Sequence, residues 1–153
     1  MISAPVKVLT DTEGSQRETL TAAFAEEYPL NILIAEDNPV NQKLIERILT
    51  KLGYQTDMSW DGLQALTLFE KKKYNVILMD IRMPQMDGFE TTQAIRQMEL
   101  EQPFIIAMTA NAMSNDRDEC LKNGMNEYIS KPIRLDEVIN KLKIAAEYCN
   151  SPK

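Results

Sequence analysis

From residue 30 onward, short apolar runs alternate with segments in which apolar residues recur every three or four positions. The apolar runs predict strands over residues 30–35, 55–58, 74–79, 104–108 and 127–130. The segments that follow them predict helices that begin near residues 39, 61, 88, 114 and 136. Strands that alternate with helices in this way are typical of a parallel sheet with helices on both faces.

The predicted fold class is therefore α/β, with a doubly wound, five-stranded parallel sheet of the flavodoxin-like type. Asn38 is placed to cap the first helix, with Pro39 at its first position, and Gly53 follows where that helix should end. Residues 1–29 are a predicted leader or inter-domain linker, in part helical over 18–28. Residues 30–149 form the predicted domain, and residues 150–153 a tail.

Chemically useful side chains stand at the ends of four of the predicted strands. They are Glu36 and Asp37, Asp80, Thr109, and Lys131, and each follows an apolar run directly. Because the carboxyl ends of parallel strands meet at one edge of a sheet, we expect these side chains to share a crevice. Carboxylates gathered there repel each other, and a hard divalent cation relieves that repulsion.

Such a site supports phosphoryl chemistry. Asp80 can attack phosphorus as a nucleophile, while a cation and the ammonium of Lys131 neutralise charge on the phosphoryl oxygens. Taken singly, these residues have simpler explanations: a strand-end aspartate or Thr109 as a helix cap, Lys131 as a surface lysine, Tyr128 as half-buried packing. Their combination at four strand ends favours the functional interpretation.

The composition narrows the possible functions. Hydrophobic residues make up 44% and charged residues 26% of the 153 residues, as in a soluble globular domain, and the net charge of −6 argues against nucleic-acid binding. We find no apolar stretch of about 20 residues and no signal peptide, so we expect a cytoplasmic domain without membrane contact, in a parent protein that can itself be membrane-anchored. The absence of histidine excludes Ser-His and Cys-His catalysis, His-ligated zinc and a phosphohistidine within this sequence.

The chain resembles the response-regulator receiver domains of two-component signalling over about residues 30–148. The match is carried by residues 34–38, 79–88, Thr109-Ala110 and Lys131-Pro132. This resemblance implies that Asp80 is the phosphoacceptor for a phosphohistidine on a histidine kinase. It also implies that Mg²⁺ or Mn²⁺ is held by Glu36, Asp37, Asp80 and the backbone carbonyl of Arg82.

The resemblance further implies a conformational switch. Thr109 matches the hydroxyl that moves onto the phosphoryl oxygen, and Tyr128 matches the aromatic residue that turns inward with it. Lys131 matches the lysine that pairs with Asp80 or its phosphate, with a cis bond to Pro132. The face formed by the fourth helix, the fifth strand and the fifth helix would then change shape. Arg82 and Asn111 match the positions that modulate the lifetime of the phosphoryl group.

The segment 29–41 is most similar to the receivers of hybrid histidine kinases. We therefore expect a histidine-phosphotransfer domain as the acceptor in a phosphorelay; a stand-alone response regulator or phosphate sink is the alternative.

Whether the domain counts as an enzyme stays open. It accepts phosphate and can dephosphorylate itself, and without histidine it is no free-standing kinase, although a parent chain could be one.

Three other classes share parts of this pattern. A flavin-binding module needs a Ser/Thr/Gly-rich phosphate loop after the first strand, where this chain has Glu36-Asp37-Asn38-Pro39, with two acidic residues. A phosphatase of the dehalogenase type needs a second aspartate two positions after the nucleophile, where this chain has Arg82. A phosphorylation-independent interaction module would not need the complete set of five strand-end residues.

Overall fold

The computed structural model describes residues 23–110 and 114–150. After a single helical turn at Phe24–Glu27, strands and helices alternate along the chain. The strands are β1 (Ile32–Ala35), β2 (Thr56–Ser59), β3 (Val76–Asp80), β4 (Phe104–Thr109) and β5 (Glu127–Ser130). The helices are α1 (Pro39–Lys51), α2 (Gly62–Lys71), α3 (Gly88–Arg96), α4 (Ser114–Lys122) and α5 (Leu135–Asn150).

The strands form one five-stranded sheet in the order β2-β1-β3-β4-β5, and every neighbouring pair is parallel. This confirms the predicted doubly wound fold. The chain runs outward from β1 to β2 and then returns to place β3 on the other side of β1. The strand order therefore reverses between β1 and β3, and a crevice is expected outside their carboxyl ends.

Each face of the sheet has its own apolar core. Along β1, Ile32 and Ile34 point into one core and Leu33 and Ala35 into the other, as the two-residue period of a strand requires. Residues of α1 and α5 fill the first core, and residues of α2, α3 and α4 fill the second. Because both faces are covered, the central strands are buried throughout their length, and they are apolar except for the terminal Asp80 of β3 and Thr109 of β4.

The predicted capping residues are found at both ends of α1. The side chain of Asn38 accepts hydrogen bonds from the backbone N–H of Val40 at 2.8 Å and of Asn41 at 3.3 Å, with Pro39 at the first position. Gly53 follows the helix with φ of 99°, a conformation that suits glycine. These local signals confirm the predicted start and end of α1.

Several boundaries differ from those predicted by one or two residues. Asp80 and Thr109 are the last residues of β3 and β4 rather than the first residues after them, because each still pairs with the neighbouring strand. Helix α5 extends beyond the predicted 136–148 at both ends. Of the helix predicted over 18–28, the structure has a helical turn at Phe24–Glu27, and residues 18–22 lie outside the described ranges.

The helical turn before β1 packs against the domain. Phe24 is 7% exposed and belongs to the core beneath α1 and α5. Its ring lies 6.2 Å from that of Tyr54, whose hydroxyl donates a hydrogen bond of 2.6 Å to the carbonyl of Tyr28. The packed unit therefore includes residues that precede position 30, while the division into leader, domain and tail stays a prediction.

Among the described residues, no helix combines the length and apolar character that a membrane span requires.

Candidate functional site

A cavity of about 650 Å³ lies at the carboxyl edge of the sheet, beside the point where the strand order reverses. The structure brings together in it all the strand-end residues that the sequence pattern selected. Its lining includes Glu36, Asp37, Asp80, Arg82, Thr109 and Lys131. The expectation that four strand ends meet in one crevice is confirmed.

Glu36, Asp37 and Asp80 form a compact cluster of carboxylates. One oxygen from each lies within 4.8 Å of the other two; Glu36 and Asp80 are buried and Asp37 is exposed. Glu36 Oε1 is buried and accepts no well-aligned hydrogen bond from the described residues, although the Lys131 ammonium lies 3.0 Å away. Three carboxylates gathered around a single ammonium present hard oxygens and excess negative charge, which fit a small divalent cation.

Lys131 lies between two of these carboxylates. Its Nζ is 3.0 Å from Oε1 of Glu36 and 3.2 Å from Oδ1 of Asp80. The backbone N–H of Lys131 donates to the carbonyl of Thr109 at 2.8 Å, and the Lys131–Pro132 peptide bond is cis, as the resemblance implied. The first residue after β5 therefore directs its side chain into the cavity rather than into solvent.

The surroundings of Asp80 shift its protonation. Burial, and after it the negative charge of Glu36, raise the pKa of Asp80 to about 7, although Lys131 acts in the opposite direction. Burial lowers the pKa of Lys131, but the two carboxylates outweigh it and leave that pKa above the usual value. Asp80 is thus a carboxylate whose ionised form depends on positive charge nearby.

Backbone contacts hold Glu36 in place at the end of β1. Its N–H donates to the carbonyl of Ser59 at 3.0 Å, and its Oε2 accepts from the N–H of Asn38 at 3.0 Å. Its carbonyl accepts a hydrogen bond of 2.5 Å from the side-chain amide of Gln42. Sequence reasoning did not select Gln42; the available signal was an amide side chain in the first turn of the helix that follows the acidic pair.

The loop from Asp80 to α3 is held close to the site by Gly88. The Gly88 N–H donates to the carbonyl of Ile81 at 2.7 Å. A Cβ at this position would overlap the carbonyl oxygen of Asp80 and would lie 2.9 Å from Cα of Ile81. Glycine therefore lets α3 begin against the end of β3, and it places Phe89, which sequence reasoning also missed, in the cavity wall.

The predicted switch residues lie in two different places. Thr109 is buried in the cavity wall, whereas Tyr128 lies on β5 opposite Ala107 and is not among the residues that line the described cavity. The Tyr128 ring is approached by two cations, with Arg117 at 5.8 Å and Lys141 at 5.4 Å from its centroid. Arg82 is exposed at the cavity rim. Asn111, which was also predicted to act here, lies outside the described residues.

Comparison with known proteins agrees with this fold and site. Residues 32–143 match the response regulator receiver domain family, and the chain belongs to that family. The sensor histidine kinase RcsC of Escherichia coli K12 is 34% identical over 142 residues, which are 93% of this chain. The chain spans about 15% of the length of that relative.

Two solved structures are similar in both fold and sequence. The receiver domain of sensor histidine kinase PA1611 from Pseudomonas aeruginosa PAO1 is 44% identical, with a TM-score of 0.71 over 76% of this chain and 97% of that one. That structure contains a magnesium ion coordinated in its active site cleft. The receiver domain of Ssk1 from Saccharomyces cerevisiae, in complex with the histidine phosphotransfer protein Ypd1, is 26% identical, with a TM-score of 0.69 over 74% and 86% of the two chains.

Proposed function

We propose that this chain is the phosphoacceptor domain of a two-component phosphorelay and that Asp80 receives the phosphoryl group. The observation that carries the proposal is the position of Asp80. It is a buried carboxylate at the reversal point of the sheet, with Glu36 on one side and the Lys131 ammonium 3.2 Å away. Structural aspartates at strand ends cap helices or turns, whereas Asp80 faces a cavity.

The reaction needs no general base. An ionised Asp80 oxygen attacks the phosphorus of a phosphohistidine, the P–N bond breaks, and the imidazole leaves with the electron pair and takes a proton. The product is a mixed anhydride of Asp80 and phosphate. Lys131 is placed to balance the charge on the transferred group. Since these 153 residues contain no histidine, the donor histidine lies outside them.

The proposed cofactor is Mg²⁺, with Mn²⁺ as a substitute. Glu36, Asp37, Asp80 and the backbone carbonyl of Arg82 are the residues that would hold it. When bound, the ion supplies positive charge that neutralises the phosphoryl oxygens. Support comes from the cluster of three carboxylates, whose buried Glu36 oxygen is contacted by the single Lys131 ammonium. The magnesium ion in the PA1611 receiver is a second line of support.

The proposed output is a change in surface shape. Thr109 would bind the phosphoryl group, Tyr128 would follow it inward, and the surface of α4, β5 and α5 would rearrange. Arg82 and Asn111 would influence how long the phosphoryl group persists. Support comes from the location of Thr109 in the cavity wall and of Tyr128 on the adjacent strand.

The proposed context is a hybrid sensor histidine kinase in the cytoplasm. Such a parent supplies the phosphohistidine, and a histidine-phosphotransfer domain then takes the phosphoryl group onward. Similarity to RcsC over most of this chain supports the first partner, and similarity to Ssk1 in its complex with Ypd1 supports the second.

Binding of a phosphoryl mimic tests the proposal without a partner protein. Beryllofluoride with Mg²⁺ should bind to the wild-type chain and should fail to bind to Asp80→Asn, as measured by isothermal titration calorimetry. Asp57→Asn removes a carboxylate from β2, outside the cavity lining, and should bind like the wild type. Equal binding to Asp80→Asn and the wild type would exclude Asp80 as the acceptor.

A further inference from the structure

Gln42 connects the first turn of α1 to the acidic pair. Its Nε2 donates a hydrogen bond of 2.5 Å to the carbonyl oxygen of Glu36. That oxygen belongs to the peptide unit that joins Glu36 to Asp37. The side chain of Gln42 therefore restrains the orientation of the peptide from which Asp37 projects.

The carbonyl of Glu36 needs a partner because the sheet has ended. Strand β1 stops at Ala35, and although the N–H of Glu36 still donates to Ser59, its carbonyl lies beyond the paired residues. A buried carbonyl without a donor costs free energy. Gln42 supplies that donor from a helix that is fixed in turn by the Asn38 cap.

Asp37 depends on this restraint more than the other two carboxylates do. The Glu36 carboxylate accepts from the N–H of Asn38 and contacts Lys131, and the Asp80 carboxylate also contacts Lys131. Asp37 is exposed, and within the described residues its side chain has no hydrogen bond or ion pair. Its carboxylate still lies within 4.8 Å of the other two. The backbone is what keeps it there.

We infer that Gln42 is a positioning residue for cation binding: it holds the Glu36–Asp37 peptide so that Asp37 reaches the cation together with Glu36 and Asp80. The inference rests on the proposed function, because it concerns the same cation. When a contact that orients a metal ligand is removed, the affinity for the metal commonly falls on the order of tenfold or more. Gln42 acts through the backbone and need not touch the ion.

The test is calorimetric titration of the full chain with MgCl₂ in the absence of any phosphoryl donor. Gln42→Met keeps the length and helix propensity of the side chain but removes the donor. Its Kd for Mg²⁺ should rise on the order of tenfold. At saturating Mg²⁺, beryllofluoride should bind to this variant as to the wild type, because Gln42 itself does not contact the phosphoryl site.

Gln64 provides a matched control. It lies in the first turn of α2, and its side chain accepts a hydrogen bond of 2.8 Å from the N–H of Trp60, in a loop that carries none of the predicted ligands. Gln64→Met should leave the Kd for Mg²⁺ unchanged. Urea unfolding without Mg²⁺ separates a change in stability from a change in affinity for both variants.

The possible results are distinct. If the wild type binds Mg²⁺ and Gln42→Met binds it equally well, the inference is wrong and the proposed function stands. The inference is equally wrong if Gln64→Met weakens Mg²⁺ binding as much as Gln42→Met does. If the wild type itself does not bind Mg²⁺, the cofactor part of the proposed function fails, and the role of Gln42 fails with it.

Discussion

Lys131 and Asp80 stand at the ends of two strands that are not neighbours, yet Lys131 Nζ lies 3.2 Å from Oδ1 of Asp80. Strand β4 separates the two, so the side chain of Lys131 crosses the edge of β4 to reach the carboxylate. The same ammonium is 3.0 Å from Glu36. One cation therefore balances two buried carboxylates that come from β1 and β3.

Lys131→Met should destabilise the protein more without Mg²⁺ than with it. Removal of one partner of a buried ion pair commonly costs 3–5 kcal/mol, and since Lys131 is partly exposed we expect about 2 kcal/mol in the free energy of unfolding. Urea unfolding with and without Mg²⁺ measures both values. Lys72→Met removes an exposed pair with Asp57 and should cost less than about 1 kcal/mol in both conditions. Equal losses for the two variants would contradict this account.

Tyr74→Phe should raise the pKa of Asp57. That pKa lies below its usual value, first because the Tyr74 hydroxyl donates a hydrogen bond to the carboxylate and then because Lys72 does. Because the pKa of Asp57 is lower in the folded than in the unfolded protein, its ionised form stabilises the fold at pH values above the ordinary pKa. This stabilisation is lost as the pH falls through the lower, folded-state pKa. The variant should therefore lose stability at neutral pH, by about 1 kcal/mol. That loss should shrink below about pH 4.

Carbon-13 NMR titration of Asp57 and urea unfolding across pH measure both effects. Tyr148→Phe, at an exposed tyrosine on α5, is the control and should change neither quantity. An unchanged pKa of Asp57 in Tyr74→Phe would show that the hydrogen bond does not control it.

Loss of the cations beside Tyr128 should favour the switched conformation. Arg117 and Lys141 approach its ring from α4 and α5, and Lys141 is also held 2.9 Å from Glu127. Each contact contributes about 0.5–1 kcal/mol to the present position of the ring. Lys141→Met and Arg117→Met should thus each tighten beryllofluoride binding about two- to fivefold.

Calorimetry in the presence of Mg²⁺ measures the affinity for beryllofluoride. Lys143→Met removes an exposed lysine of the same helix and should leave it unchanged. If none of the variants differs from the wild type, the two cations do not hold Tyr128 in place.

Phe24→Ala should destabilise the domain although Phe24 precedes the predicted domain boundary. The side chain is 7% exposed and packs against Tyr54 in the core beneath α1 and α5. Truncation of a buried phenylalanine leaves a cavity and costs about 3 kcal/mol. Glu26→Ala, on the exposed side of the same turn, should cost no more than about 0.5 kcal/mol. If both variants lose a similarly small amount of unfolding free energy, the turn Phe24–Glu27 does not unfold together with the rest of the domain.

The sequence was sufficient for the fold and for most of the site because the relevant signals are local. A buried parallel strand is an apolar run, and the polar residue that ends it is directly visible, as at Asp80 and Lys131. Parallel topology then places the strand ends at one edge. Caps such as Asn38 are equally local, since a side chain bonds to backbone two or three residues ahead.

The remaining features depend on contacts between elements. The reach of Gln42 to the Glu36 carbonyl depends on the angle between α1 and the sheet, and the burial of Phe24 depends on Tyr54, which lies far along the chain. Amide and aromatic side chains occur in many solvent-facing turns, so neither position stands out in the pattern. Only the packed structure distinguishes them.

The identity of the phosphorylated residue is the most direct test of the proposed function. Phosphoramidate carries a P–N bond like that of phosphohistidine, so it can serve as donor with Mg²⁺ and without a partner. After incubation, peptide mass spectrometry should find one phosphoryl group, on Asp80, in the wild type and in Asp57→Asn, and none in Asp80→Asn. Phosphorylation of Asp80→Asn to the wild-type level would contradict the assignment of Asp80 as the phosphoacceptor.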